Sequence, residues 1–144
     1  MAATALEDKS MTPEGVVTIL SSFGPKETLD KLKAEIVSYG LELFAEIDHA
    51  KNAKEAAIAL RPETVLVFGS AKAGTPLMQA NQAAGLDLPL KALVWQDAEG
   101  KTWISYNDPI WIAARYSLRA ELMQVAQKMR EGLEAIADKA AGKA

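Results

Sequence analysis

Phe68-Gly-Ser-Ala-Lys-Ala-Gly-Thr-Pro-Leu-Met78 joins an apolar, β-branched run to a helix through two glycines and one lysine. Free backbone N–H groups at a helix start, with a cation beside them, attract an anion. Gly69-Ser-Ala-Lys-Ala-Gly74 also has the G-x-x-x-x-G spacing of a nucleotide-binding phosphate loop. Such a loop continues with Lys and then Ser or Thr, whereas Thr75 and Pro76 follow here, so ATP or GTP hydrolysis is not expected. The spacing predicts a site for a small anionic or polar ligand. Lys72 would supply charge, Gly74 and Thr75 backbone donors, and Thr75 would cap a helix beginning at Pro76.

The chain has one histidine, His49, which follows Glu46 and Asp48 at the end of a strand. Alternation along that strand puts the two carboxylates on one face with the imidazole adjacent. His49 could act as a general acid or base oriented by a carboxylate, or hydrogen-bond the next loop and line a pocket mouth. Three groups this close in sequence need a ligand from another strand to hold an ion, so no metal site is expected. Tyr106 and Asn107 end the last strand and suit a pocket as orienting groups, while Asp108 before Pro109 reads as a helix N-cap. Lys91 interrupts an apolar strand; if buried it must pair, with Glu46 and Asp48 nearest by face, so it reads either as a cross-strand or intersubunit salt bridge or as a catalytic lysine of lowered pKa.

Composition removes several classes. There are no cysteines, which excludes disulfides, thiolate zinc sites and thiol nucleophiles, and a single histidine excludes two-histidine sites within one chain. The net charge of -3 and the scatter of basic residues argue against a nucleic-acid or acidic-membrane partner. The first ten residues lack a basic segment followed by an apolar one, and nowhere do 18 apolar residues run together, so a cytoplasmic location is expected. No motif specifies a cofactor.

The elements that must position these groups follow from periodicity. Residues 1–13 read as a mobile lead and Val16–Ser22 as the first strand. A helix from Pro25 to about Tyr39 carries Leu29, Leu32, Ile36 and Val37 on one stripe. In the strand from Leu41 to Asp48, alternation predicts Leu41, Leu43, Ala45 and Ile47 on one face and Glu42, Phe44, Glu46 and Asp48 on the other. A helix over Ala50–Leu60, a central strand over Thr64–Phe68 and a helix from Pro76 to about Ala84 come next. Leu90–Gln96 and Lys101–Tyr106 form a hairpin through Asp97-Ala-Glu-Gly100, whose glycine supplies a positive φ. The last helical region is interrupted near Ser117, and its amphipathic stripe runs from Leu118 to Ile136 before an Ala-rich end that frays. The predicted order is β-α-β-α-β-α-β-β-α, an α+β fold with a single antiparallel-rich sheet and helices mainly on one face. Phe44, Leu93, Trp95 and Trp103 should then crowd its other face, to be covered by a second subunit, a ligand or the C-terminal helix.

Ala45-Glu-Ile-Asp-His49, Phe68–Met78, Asp87-Leu-Pro-Leu-Lys91, Leu93-Val-Trp95 and Ser105-Tyr-Asn-Asp-Pro109 occur in the order seen in a known family. Over about residues 15–118 the chain resembles the bacterial and archaeal domain-of-unknown-function family 302. The resemblance implies a TATA-binding-protein-like α+β fold and a homodimer, and it implies no activity. Members of that family often carry histidine where this chain has Tyr116. The expected organisation is therefore a lead over 1–13, a family domain over 14–118 and a C-terminal helix over 119–144. The expected function is a homodimer that binds a small molecule at the Gly69–Thr75 loop. The alternatives are an acid/base enzyme using His49 and a structural or partner-binding dimer without ligand.

Overall fold

A computed structural model describes residues 10, 11 and 13–143. In chain order the elements are β1 (Ser10–Met11), β2 (Val16–Leu20), α1 (Pro25–Ser38), β3 (Glu42–Asp48), α2 (His49–Glu55), β4 (Glu63–Gly69), α3 (Ala71–Ala80), a 3-10 helix (Gln82–Leu86), β5 (Leu90–Gln96), β6 (Thr102–Asn107), α4 (Pro109–Arg115) and α5 (Ala120–Ala140). The strands form one antiparallel sheet in the order β1-β2-β6-β5-β4-β3. This is the expected α+β architecture. The break in the last helical region falls where it is expected, at Ser117 with φ 53°.

Register assigns the faces. Ile19 opposes Ile104, Val94 opposes Ile104, and Leu66 opposes Ala92, so these residues share one face. Leu32 and Ile36 of α1 and Leu133 and Ile136 of α5 join them in a single buried core. On the alternate face Val65, Val67, Leu93 and Trp95 are only half-buried. Trp95 there stacks on Trp103 across the β5–β6 pair, with ring centroids 6.2 Å apart. α5 packs on the first face, so the C-terminal helix is not what covers the aromatic one.

Several expected boundaries move. Of the expected lead, residues 1–9 and 12 lie outside the described residues, while Ser10–Met11 pair with β2. The segment after 118 does not stand apart, because α5 completes the core. Its end does not fray: Ala140 and Ala141 are fully buried, and the Ser22 N–H donates to the Ala141 carbonyl at 2.9 Å. Methyl-sized side chains let that helix end sit against the segment that follows β2, which gives the Ala-rich sequence a packing role.

The β5–β6 turn is held by one carboxylate. Asp97 Oδ1 accepts from the Glu99 and Lys101 N–H groups at 2.9 Å each, Oδ2 accepts from Trp103 Nε1 at 2.8 Å, and Gly100 adopts φ 83°. The Trp103 hydrogen bond, then those from the Lys101 and Glu99 backbone, hold the Asp97 carboxyl below the usual carboxylate range. A depressed folded-state pKa stabilises the protein above the unfolded value, and that contribution is lost as pH falls through the folded one. Urea midpoints measured from pH 7 down to pH 2 should fall more gently for Asp97→Asn than for the parent, with the curves converging at the acid end. Parallel curves would remove Asp97 from the acid response.

Candidate functional site

The Phe68–Met78 segment turns helical earlier than its sequence suggests. Ser70, extended at φ -140°, is the N-cap, and the Gly74 N–H donates to the Ser70 carbonyl at 2.9 Å. α3 therefore starts at Ala71, and Pro76 lies inside it. Thr75 is thus not a cap and Pro76 not a first helical residue. The run Ala71-Lys-Ala73 is helix-favouring enough to carry the turn ahead of the proline. Gly74, expected to offer its N–H to a ligand, has already spent it within the helix.

What the segment forms is one wall of a cavity of about 610 Å³. Gly69, Ser70, Ala71, Ala73, Gly74 and Thr75 line that wall, with Met78 one turn on. Val125, Lys128, Met129, Gly132, Leu133 and Ile136 of α5 stand opposite. Phe68, Leu88, Pro89 and Leu90 contribute from the β4 and β5 ends, and Tyr39, Leu41 and Phe44 from the α1–β3 side. Lys72 is exposed and does not line it. The volume lies within the range of small-molecule pockets, which are about 300–1,000 Å³.

The buried part of the lining is apolar, and its polar side chains are among the more exposed ones, together with Phe44. Phe68, Leu133 and Ile136 are fully buried, whereas Tyr39, Thr75 and Lys128 are exposed and Ser70 is half-buried. Among the described residues, none of these four polar side chains is engaged in a side-chain hydrogen bond or ion pair. Unengaged donors at the mouth of an apolar cavity are what a pocket uses to orient a ligand.

Phe44 belongs to this cavity because of a β-bulge. Leu43 opposes Phe68 while Ala45 opposes Val67, so Phe44 is an extra residue that breaks the alternation. The expected faces of β3 are corrected accordingly. Leu43 shares the core side with Glu46 and Asp48, whereas Ala45 and Ile47 turn to the other face, and Phe44 leaves the aromatic group of Leu93, Trp95 and Trp103.

His49, Tyr106, Asn107, Glu46, Asp48 and Lys91 are not brought together with the loop. β3 and β4 are antiparallel, with Glu42 opposite Gly69 and Asp48 opposite Thr64. His49, exposed at the start of α2, therefore sits at the opposite end of the sheet from Gly69, six residues or about 20 Å along the strand. No general base reaches a ligand at the loop from there. Asp48 caps α2 by accepting from the Lys51 N–H at 2.9 Å, and Glu46 pairs with Lys33 at 2.9 Å. Lys91 opposes Val67 on the other face, so neither carboxylate is its partner. Tyr106 is buried in the core with its hydroxyl unpaired among the described residues. Burial first, then the carboxylates of Glu134, Asp138 and Asp108, push that phenol far up. Asn107, adjacent on the strand, turns to the other face. Asp108 does cap α4, accepting from the Ile110 N–H at 2.9 Å, and also pairs with Arg130 at 2.9 Å.

Tyr116 has its own task. Its hydroxyl donates to Asp87 Oδ2 at 2.5 Å, Arg115 donates to the same oxygen at 2.8 Å, and Asn81 Nδ2 donates to the Tyr116 carbonyl at 3.0 Å. These bonds tie both ends of the 3-10 helix to the end of α4 and so brace the α3 wall. The bond to Asp87 also raises the Tyr116 phenol above its ordinary value.

Tyr39, Phe44, Lys128, Met129 and Gly132 are cavity residues that the sequence did not flag. The only signal was Gly132, a glycine interrupting the apolar stripe of a long helix, where alanine would be favoured.

Comparisons with known proteins bear on the whole chain. The family model described as domain of unknown function DUF302 matches residues 17–138. Proteins named fluoride-specific ion channel FluC 1 from Brucella suis biovar 1 and Brucella abortus biovar 1 are each 38% identical to it over 133 residues. Those residues are 92% of this chain and 52% and 49% of the two relatives, so the chain spans about half the length of the curated relatives it matches. The crystal structure of an uncharacterized conserved protein DUF302 from Bacillus stearothermophilus has a TM-score of 0.79 at 20% identity, covering 89% of this chain and 99% of that one. That likeness shows a shared fold.

Proposed function

The chain belongs to the DUF302 family, and from that premise we propose that it is a small-molecule-binding domain whose site is the cavity between α3 and α5. The observation that carries this reading is a pocket-sized apolar cavity whose mouth holds four polar side chains without partners among the described residues. The Gly69–Thr75 segment takes part as a wall, not as an anion cradle. Fluoride conduction, named in the Brucella relatives, does not enter this reading. No helix among the described residues is long and apolar enough to cross a membrane.

Gly132→Leu tests the site. A Cβ on Gly132 would meet only Tyr39 Cε2 at 3.9 Å, an ordinary contact, and Gly132 lines the cavity, so a leucine there is expected to occupy the space a ligand would use. In a thermal-shift screen of metabolites, a ligand at a hundred times its Kd adds about 2.7 kcal/mol, enough to raise Tm by about 5 °C or more. The parent should show such a shift, Lys72→Ala should keep it and Gly132→Leu should lose it. A shift retained in Gly132→Leu would place the ligand elsewhere.

We also propose a homodimer, supported by a separate observation. Val65, Val67, Leu93 and Trp95 form an apolar, half-buried row on the sheet face away from the core. An antiparallel sheet face of this kind can pair with its own copy about a two-fold axis. Light scattering at micromolar concentration should give twice the chain mass for the parent and the single mass for Leu93→Glu. A parent that stays monomeric would end this reading.

A further inference from the structure

Resting on the cavity reading above, we propose that the ligand is an amphiphilic anion: a linear or ring-bearing apolar body of about a dozen heavy atoms ending in a carboxylate or similar group. The cavity volume of about 610 Å³ equals about twenty water volumes, an upper bound that leaves room for a body of that size. Polarity sets the orientation. Phe68, Leu90, Leu133 and Ile136 form a buried apolar floor, so the apolar end enters first, and the head group stays at the mouth with Ser70, Thr75 and Lys128.

Charge sets the sign of the head group. Lys128 lines the cavity, no Asp or Glu does so among the described residues, and Lys128 is in no ion pair there. In a chain of net charge -3, a cation left without a carboxylate beside an apolar cavity complements an anion. An alkylammonium would meet like charge and find no acceptor carboxylate. Two methionines, Met78 and Met129, lie on facing walls, and their unbranched side chains adapt to chains or rings of differing shape.

Calorimetric titration with hexanoate, octanoate and decanoate tests the class, with decanol and decylammonium as neutral and cationic counterparts. The parent should bind the carboxylates about fourfold more tightly for each added methylene, as apolar burial requires. Decanoate should exceed decylammonium by about tenfold or more. Lys128→Met, which keeps the apolar stem of an exposed residue, should remove that preference by weakening decanoate relative to decanol and decylammonium, and Gly132→Leu should weaken all three. Decanol or decylammonium binding as tightly as decanoate, still blocked by Gly132→Leu, would overturn the anionic class and leave the cavity reading standing. If the parent binds none of the ten-carbon probes, both the class and the cavity reading fail.

Discussion

Phe68→Ala is expected to lower the unfolding free energy by about 3–5 kcal/mol, toward the upper end of that range. Phe68 is fully buried at the end of β4, where its ring serves both the sheet core and the cavity floor. Truncation removes the transfer free energy of the phenyl group. It also leaves a hole continuous with an existing cavity, whose walls belong to separate helices and have little means of closing on it. Urea unfolding measures the loss directly, and Tm should drop by about 10 °C or more. A loss under about 2 kcal/mol would mean that α3 and α5 close over the gap, so the cavity would be deformable and not preformed.

Gly15→Ala should be the next most damaging small change, at about 2–4 kcal/mol, for two separable reasons. Gly15 has φ 82°, a left-handed conformation that costs an L-residue about 1–2 kcal/mol. A Cβ there would stand 2.3 Å from Trp111 Cδ2 and 2.5 Å from Cγ, far closer than van der Waals contact with the indole allows. The backbone cannot easily retreat, because the Asp108 N–H donates to the Gly15 carbonyl at 2.7 Å and Asp108 in turn caps α4. In a Trp111→Ala background the same substitution should cost only the conformational part, so the double-mutant cycle isolates the clash. A cost below about 1 kcal/mol in the parent background would show that the indole swings aside freely.

The chain states its local structure clearly where local physics decides. The hairpin through Asp97 and Gly100 is legible because one carboxylate and one positive φ organise four residues. The break at Ser117 and the cap at Asp108 are read correctly for the same reason. α3 misleads because Pro at a first helical turn is the commoner use, and nothing local says that Ser70, six residues earlier, has already begun the helix. Phe44 misleads because strict alternation carries no mark of a bulge, which arises from pairing with β4.

The element order, the α+β class, the family and the strand–helix junction that walls the cavity are all legible in the residues alone, because apolar periodicity and turn chemistry act over a few residues. What meets what depends on the assembled fold. Antiparallel pairing of β3 with β4 sent His49 to the far end of the sheet from Gly69, and α5, which starts about forty residues after α3 ends, supplied the facing wall with Lys128 and Gly132. The cavity is a gap between surfaces distant in sequence, set by how helices of given bulk settle on the sheet, and no single stretch of chain encodes it.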